Sequence, residues 1–406
     1  MFTLVRLAFR NVLRNKSRAA FTLGGIAFGV WMSLLLGSFV IGLGETMADD
    51  VVRSKVGALQ VHLRGYDDAK ANQPLDFNME EHGDVPRIAL ATPHVKAVAP
   101  HIVFGGLLNN GAASTMVIAT GADPDAELKV LPLANRGLTG QPLSKDAPHA
   151  GLLGFELADA MGVKRGSTVT LQAASQAGQQ NALDLDLAGT VNNNLPFDSK
   201  RMLWVPLAYA QELVQMPGRV TEFAIALDDI KYTDEVKEHL ERALGPKYHV
   251  QTWYELRVNI KEVIQIQRII LMAACLVFLI IAVVGVMNTM LMSVLERTRE
   301  IGTMMAVGVK RSQVTVLFLW EAAFLALLGA GIGAALGYGV VGIVVELGGV
   351  ALTAPGSTMM VHIKPHAPLW LAAIAVVASA LGTLAAAAYP AWRAARLRPV
   401  EALRAV

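Results

Sequence analysis

The chain has 406 residues, 53% of them hydrophobic and 17% charged, with a formal net charge of +2. That is too apolar for an ordinary soluble protein, and the apolar residues fall in long blocks rather than in a helical or alternating rhythm. Residues 45–264 hold 20 Lys+Arg and 28 Asp+Glu, which leaves 15 and 5 for the rest of the chain. The basic excess sits in short segments beside the apolar blocks, as the positive-inside rule requires of a membrane protein. A nucleic-acid partner is excluded, because its footprint would concentrate Lys and Arg on the polar domain, which is acidic.

In residues 1–18, Phe2, Val5, Phe9 and Val12 recur at helical spacing, with Arg6, Arg10 and Arg14 on another face. The pattern predicts an amphipathic helix at the inner membrane interface. The first uncharged run covers residues 19–44, longer than the ~20 residues that cross a bilayer core and longer than the ~7–15-residue core of a signal peptide. It is expected to remain as a transmembrane helix.

Residues 45–264 alternate strand and helix signals. Strands are predicted at 59–63, 115–119, 168–171, 201–205, 223–227 and 248–252. Helices are predicted at 155–161, 233–244 and from Pro206 to about 216, with loops at 109–113 and 176–181. These make a mixed α+β domain, expected as two subdomains. Residues 253–268 contain no Pro or Gly and predict one continuous helical stalk into the second span, with 45–56 extending the first. The single cysteine, Cys275, lies in the second span. The domain therefore has no disulfide and relies on its apolar core.

Three further spans are predicted at 265–295, 314–345 and 369–391, joined by 296–313 and 346–368 and followed by a tail at 392–406. The first segment, the 296–313 link and the tail carry nearly all the flanking basic residues, whereas the 346–368 link carries only Lys364. Both termini are thus expected in the cytoplasm and the large insert outside it. Gly329, Gly333 and Gly337 in the third span, and Gly25 and Gly29 in the first, recur every four residues, as close helix packing needs. Glu321 is the one acid within a span and is expected to contact a neighbouring basic residue. The sequence contains no Gly-x-x-x-x-Gly-Lys-Ser/Thr phosphate loop, no metal-spaced Cys/His cluster and no nucleophile elbow. His362 and His366 are four apart, but Pro365 intervenes. No catalysis, cofactor or metal is expected of this chain.

Three motifs carry a family resemblance: Arg10-Asn11-Val12-Leu13-Arg14-Asn15-Lys16-Ser17-Arg18; Glu296-Arg297-Thr298-Arg299-Glu300-Ile301-Gly302 followed by Ala306-Val307-Gly308; and Tyr389-Pro390-Ala391-Trp392-Arg393-Ala394-Ala395-Arg396. With the layout of one span, outer domain and three spans, they resemble permeases of the MacB/FtsX superfamily, the type VII ABC transporters. Gly57-Ala58-Leu59-Gln60-Val61-His62 is similar to the Gly-His-Leu-Gln-Ile segment of the lipoprotein-releasing, LolC/LolE-like permeases, with Ala58 in place of His. Residues 154–171 resemble another of their segments, with Ser167 where Asp is usual; MacB-type permeases share much of it.

The resemblance implies four transmembrane α-helices with a large α+β periplasmic domain between helices 1 and 2, in the bacterial inner membrane. It implies that residues 296–308 form a coupling helix, with Glu296, Arg297, Thr298, Arg299, Glu300 and Ile301 meeting a dimer of separate ABC ATPase subunits that hold ATP and magnesium. Glu296 and Arg299, three apart, can pair on one helix face. A second permease copy or a paralogue would complete the dimer, with a periplasmic lipoprotein carrier or adaptor as a further partner. Release of lipid-anchored proteins would place a lipid or substrate cavity at Phe39, Val40, Leu43, Ile266, Ile269 and Ile270. The alternatives are MacB-type mechanotransmission, driving an adaptor and outer-membrane channel, and FtsX-like signalling to a cell-wall hydrolase.

Overall fold

The structure, a computed structural model, describes residues 16–66, 75–132, 137–192, 200–353 and 360–396, together with Ala8 and Arg10. The interface helix expected over 1–18 and the tail beyond 396 therefore fall largely outside the described residues. The chain divides into two units. One comprises Met1–Glu45, Val263–Val350 and His362–Val406; the other comprises Thr46–Glu262 and Ala351–Val361.

Helix α1 spans Lys16–Val51 and ends in a wider π-turn at Val52–Val56. The second unit then runs β1 (Leu59–Leu63), β2 (Met79–Glu80), α2 (Asp84–Ala91), β3 (Val95–Asn109), β4 (Ser114–Ala122), α3 (Pro124–Val130), β5 (Leu138–Gly140) and β6 (Ala150–Gly154). It continues through α4 (Phe155–Met161), β7 (Thr168–Ala174), β8 (Gln180–Val191), β9 (Met202–Pro206) and α5 (Leu207–Leu213). It closes with β10 (Arg219–Val220), β11 (Glu222–Leu227), α6 (Thr233–Leu244), β12 (Tyr248–Thr252) and α7 (Trp253–Leu256).

Rather than two subdomains, one ten-stranded sheet runs through this unit in the order β12-β1-β11-β3-β4-β9-β6-β8-β5, with β7 pairing β3 and β8. The long β3 is its spine. It alternates buried and half-buried positions, pairs β11 along its first half, and turns into β4 through a tight hairpin. The turn forms because the Asn110 side-chain oxygen accepts the Ala112 and Ala113 N–H groups at 2.9 and 2.7 Å while Gly111 takes φ +86°. Gly57, at φ +75°, admits the chain to β1; a Cβ there would stand 2.9 Å from the Ile225 carbonyl oxygen. Leu59, Ile102, Leu153, Leu203, Ile225 and Val250 from six strands meet in one apolar core.

A charged cluster is set into the sheet beside that core. His101 on β3 bonds Glu127 of α3 through Nε2 at 2.6 Å and Glu222 of β11 through Nδ1 at 3.3 Å. His62 of β1 lies 3.8 Å from the other Glu222 oxygen and stacks on Tyr66, while Trp204 of β9 stands edge-on to His101. All four charged or titratable side chains are buried. Burial by itself would depress the His101 pKa, but the Glu127 carboxylate and then Glu222 outweigh it, and the imidazole is pushed up to about 10.

The expected continuous stalk over 253–268 is interrupted. Thr252 and Glu255 form a reciprocal capping box, and Glu255 also binds Lys237 at 2.7 Å. This short helix ends at Arg257, which adopts φ −122° and ψ 60°. The long helix α8 starts afresh at Val258 and runs to Glu296. No Pro or Gly marks the break; the cap and the ion pair fix where the short helix begins, and the Arg257 backbone ends it.

Helix α9 covers Thr298–Ala306, α10 covers Arg311–Glu346, and α11 covers Leu369–Ala395. Between α10 and α11, where only a loop was expected, β13 (Val350–Thr353) and β14 (Met360–Ile363) pair. Among the described residues four helices, α1, α8, α10 and α11, are long and apolar enough to cross a membrane. Within the membrane unit, α1 and α10 approach closely along the glycine row. A methyl group at Gly329 or Gly337 would stand 2.9 Å from Ile26 or Leu34, and one at Gly333 would run into the Ala27 carbonyl. Of the second row, Gly29 faces Ala282 of α8, while Gly25 meets nothing within 4 Å. At the opposite end of α1, the Ser38 carbonyl accepts the His366 N–H at 2.9 Å and Glu45 pairs with the His366 ring at 2.8 Å.

Gly333→Ala is expected to destabilise the bundle by about 1–3 kcal/mol, since neither backbone can yield to the added methyl. Gly339→Ala, on an open helix face, is the neutral control. Thermal melting of the detergent-solubilised chain compares them. A second expectation follows from His101. Its folded-state pKa is raised, so the stability it contributes is full below about pH 6.5 and is lost as pH climbs toward about 10. Urea unfolding of the parent chain between pH 6 and pH 10 should show this loss, and His101→Gln should remove that component while costing about 3–5 kcal/mol at neutral pH.

Candidate functional site

Helix α8 ends at Glu296, and the chain turns at Arg297, whose φ −100° and ψ 15° leave helical geometry. Thr298 restarts the helix, and its hydroxyl donates back to the Leu295 carbonyl at 2.7 Å. Helix α9 ends at the turn containing Gly308, which adopts φ +102°. Lys310 then begins α10, its N–H donating to the Gln313 side-chain oxygen at 2.9 Å. One face of α9 is buried. Ile301 packs among Val294, Val314, Phe318, Ala391 and Ala394, so the short helix is seated on α8, α10 and α11 together.

Arg297 binds this corner electrostatically. Its Nε donates to Glu300 at 3.0 Å, its Nη1 lies 3.5 Å from Glu321 of α10, and its guanidinium sits over the Phe318 ring at 6.0 Å. The expected Glu296–Arg299 pairing is thus replaced by Arg297–Glu300. The helix restarts at Thr298, which puts Arg297 at its cap and turns its side chain back toward Glu300. A basic residue that meets Glu321 is Arg297, 24 positions away in sequence.

The six residues predicted for this site divide between two sides. Arg297 and Ile301 face the bundle, Glu300 and Thr298 are half-buried, and Glu296 and Arg299 are exposed. Thr303 and Ala306 continue the exposed side, and Val307 at the end of α9 is 87% exposed. Val307 lay outside the predicted set. Its signal was an apolar side chain immediately before a turn glycine, Gly308.

The residues predicted for a lipid or substrate cavity lie on two helices. Ile266, Ile269 and Ile270 are exposed on one stretch of α8, whereas Phe39, Val40 and Leu43 are half-buried on α1. A cavity of about 250 Å³ in the membrane unit lies between α1, α8 and α11 and is lined by Val30, Ser33, Met272, Cys275, Leu371 and Ile374 among others. Helix α8 meets α1 at Gly29–Ala282 and through the Thr22–Thr289 hydroxyls at 3.1 Å, and meets α11 where Gly382 faces Leu279 and Val283. The cavity is the space these contacts leave, and helix-to-helix spacing of that kind has no signature in hydropathy.

This architecture, four apolar helices with an α+β domain between the first and second, defines a membrane permease with an inserted outer domain. The MacB-like periplasmic core domain family matches residues 19–243, and the FtsX-like permease C-terminal family matches residues 272–399. The chain belongs to the MacB/FtsX family of ABC transporter permeases. It is 25% identical over 401 residues to the lipoprotein-releasing system transmembrane protein LolE of Haemophilus influenzae, covering 95% of this chain and 94% of that protein. It is 28% identical over 424 residues to the macrolide export ATP-binding/permease protein MacB of Hyphomonas neptunium, covering 98% of this chain but only 60% of that protein. The outer domain also aligns with the crystal structure of the periplasmic region of MacB from Actinobacillus actinomycetemcomitans, at 15% identity and a TM-score of 0.34, over 51% of this chain and 94% of that one.

Ile301→Asp would set a carboxylate into the apolar seat of Val314, Phe318 and Ala391, which costs the helix its packing and the carboxylate its water. Amide exchange across 298–306 is expected to rise at least about tenfold as α9 detaches, with exchange in β3 and β11 unchanged.

Proposed function

We propose that this chain is the membrane subunit of an ATP-driven ABC complex in the bacterial inner membrane, with both termini cytoplasmic, and that it releases lipid-anchored proteins. A separate ATPase subunit dimer, holding ATP and magnesium, presses on α9; the movement passes through the spans to the periplasmic domain. A second permease copy or a paralogue completes the assembly. The observation that carries the reading is the two-sided α9. Its inner face is packed on three spans, while Glu296, Arg299, Thr303 and Val307 face outward as a mixed charged and apolar surface. Such a surface suits a protein partner, with charge giving register and the apolar tip giving affinity.

Lipoprotein release is favoured over export by the extent of the likeness. The LolE relative is matched along 94% of its length, whereas 40% of the MacB relative, whose name includes ATP binding, has no counterpart in this chain. The exposed apolar side chains of α8 from Ile266 to Ile270 support a lipid-facing role for that helix. A periplasmic lipoprotein carrier is the expected downstream acceptor. In the export reading, an adaptor would bind the outer domain instead.

Purification from native membranes should bring down an ATPase and a second permease chain. Isolation as a stable assembly with no ATPase would refute the reading, and co-isolation of an adaptor with an outer-membrane channel would redirect it to export. Arg299→Ala with Glu300→Lys is expected to weaken ATPase retention by about tenfold or more. Pull-down titration measures this, and retention at the parental level would remove α9 as the contact.

A further inference from the structure

We infer that the outward face of α11 at its C-terminal end, formed by Tyr389, Trp392, Arg393 and Arg396, is a binding site for the headgroup of an anionic phospholipid. The inference draws only on the chain being a membrane permease and does not depend on what that permease transports.

Length places this face at the headgroup level. Helix α11 covers Leu369–Ala395, 27 residues. About 20 residues cross the hydrocarbon core, so the last turns emerge into the interface. The two sides of the helix differ. Ala387, Pro390, Ala391, Ala394 and Ala395 are buried, and Ala391 and Ala394 help to seat Ile301. On the other side Leu381, Ala385, Tyr389, Trp392 and Arg396 are exposed and follow one another at steps of three or four. The exposed side therefore changes from apolar to aromatic to basic toward the end of the helix. A bilayer changes from hydrocarbon to headgroup in the same order.

The basic end has a defined geometry. The Tyr389 and Trp392 rings stack at 6.5 Å, and the Arg396 guanidinium lies 4.0 Å from the centre of the Trp392 ring. That contact holds the guanidinium by its flat face and leaves its N–H edge to donate. Arg393, three positions before Arg396, is also exposed, and neither forms an ion pair among the described residues. Helix α11 contains no acidic residue. Two guanidinium groups on neighbouring positions, with no carboxylate between them, match a phosphodiester that accepts hydrogen bonds from both. A zwitterionic headgroup brings its own cation to the phosphate, so an unneutralised pair selects an anionic lipid. Offsetting the carbonyls of a helix end accounts for basic residues there, but not for a guanidinium stacked on an outward aromatic pair. A protein partner could also cover such a face; its continuity with the apolar side chains of the span favours lipid.

The test uses the full chain in phosphatidylcholine nanodiscs. A small fraction of the lipid is phosphatidylglycerol or phosphatidylcholine brominated near the headgroup end of its acyl chains. Bromine quenches nearby tryptophan, and the Trp392 signal is the difference between the parent and Trp392→Phe. Brominated phosphatidylglycerol should associate with Trp392 at least about fivefold more strongly than brominated phosphatidylcholine. Arg393→Gln with Arg396→Gln should bring the two lipids to parity. These positions are exposed, so the changes leave the apolar seat of Ile301 untouched. Lys310→Gln with Arg311→Gln removes the same charge from the start of α10 and should leave the preference within about twofold of the parent. Parity in the parent, an equal loss in the Lys310 and Arg311 control, or displacement of the lipid by salt-matched inorganic phosphate would each overturn the site. So would an unchanged lipid preference in the Arg393 and Arg396 double variant; if that variant loses ATPase retention instead, the face is a protein contact. The lipid measurement needs no ATPase, so failure of the functional reading is seen separately.

Discussion

The close approach of α1 and α10 is the constraint on which the membrane unit depends. Between helices in hydrocarbon there is no water to exclude, so burial gives little drive and contact geometry must supply the attraction. Gly329, Gly333 and Gly337 allow this by removing every atom between the two backbones, and Ile26, Ala27 and Leu34 fill the space. Any side chain in that row would separate the helices along their whole contact. The first span is therefore held to the third, although the large inserted domain lies between them in sequence.

The second span is attached differently. It packs on α1 and α11 through Val286, Met290, Phe278, Ala282 and Thr289, yet much of its apolar surface faces outward. A cavity between α1, α8 and α11 is the result. Helices of this kind need lipid or another protein to cover them. A permease that changes shape benefits from the asymmetry, since one helix can shift against a tightly joined pair without breaking the tight contact. Helix α9 is covalently continuous with α8 yet packed by Ile301 on α10 and α11, so it belongs to both parts.

Much of this was legible in the sequence because it depends on local signals. The run lengths and the uneven distribution of Arg marked four spans and their order. Local strand and helix signals marked β1, β7, β12, α4 and α6. What could not be read depends on distant partners or on competing local choices. Two equal spacings, Glu296–Arg299 and Arg297–Glu300, were available, and the choice rests on where the helix restarts after its corner. Glu321 meets an arginine 24 positions away because two spans happen to converge there. The break at Arg257 has no breaker residue; a capping box at Thr252 and Glu255 starts a separate short helix just before it. Val307 was overlooked because an apolar residue in a short link ordinarily signals burial.

The two units share one device for fixing orientation. In the outer domain His101 is held between Glu127 and Glu222, and in the membrane unit Arg297 is held between Glu300 and Glu321. His101 joins elements far apart in sequence, Arg297 joins three consecutive helices, and each lies beside an apolar cluster. The net stabilisation from such pairs is small, because desolvation offsets most of the attraction. Their effect is on the alternatives: a displaced strand or helix would leave a buried charge without its partner, whereas a displaced leucine finds other neighbours. The only cysteine of the chain lies in α8, so no disulfide can hold the outer domain in register. In the outer domain, His101 shared by two buried carboxylates fixes β3, α3 and β11 against one another at a point, and leaves the surrounding apolar contacts free to slide.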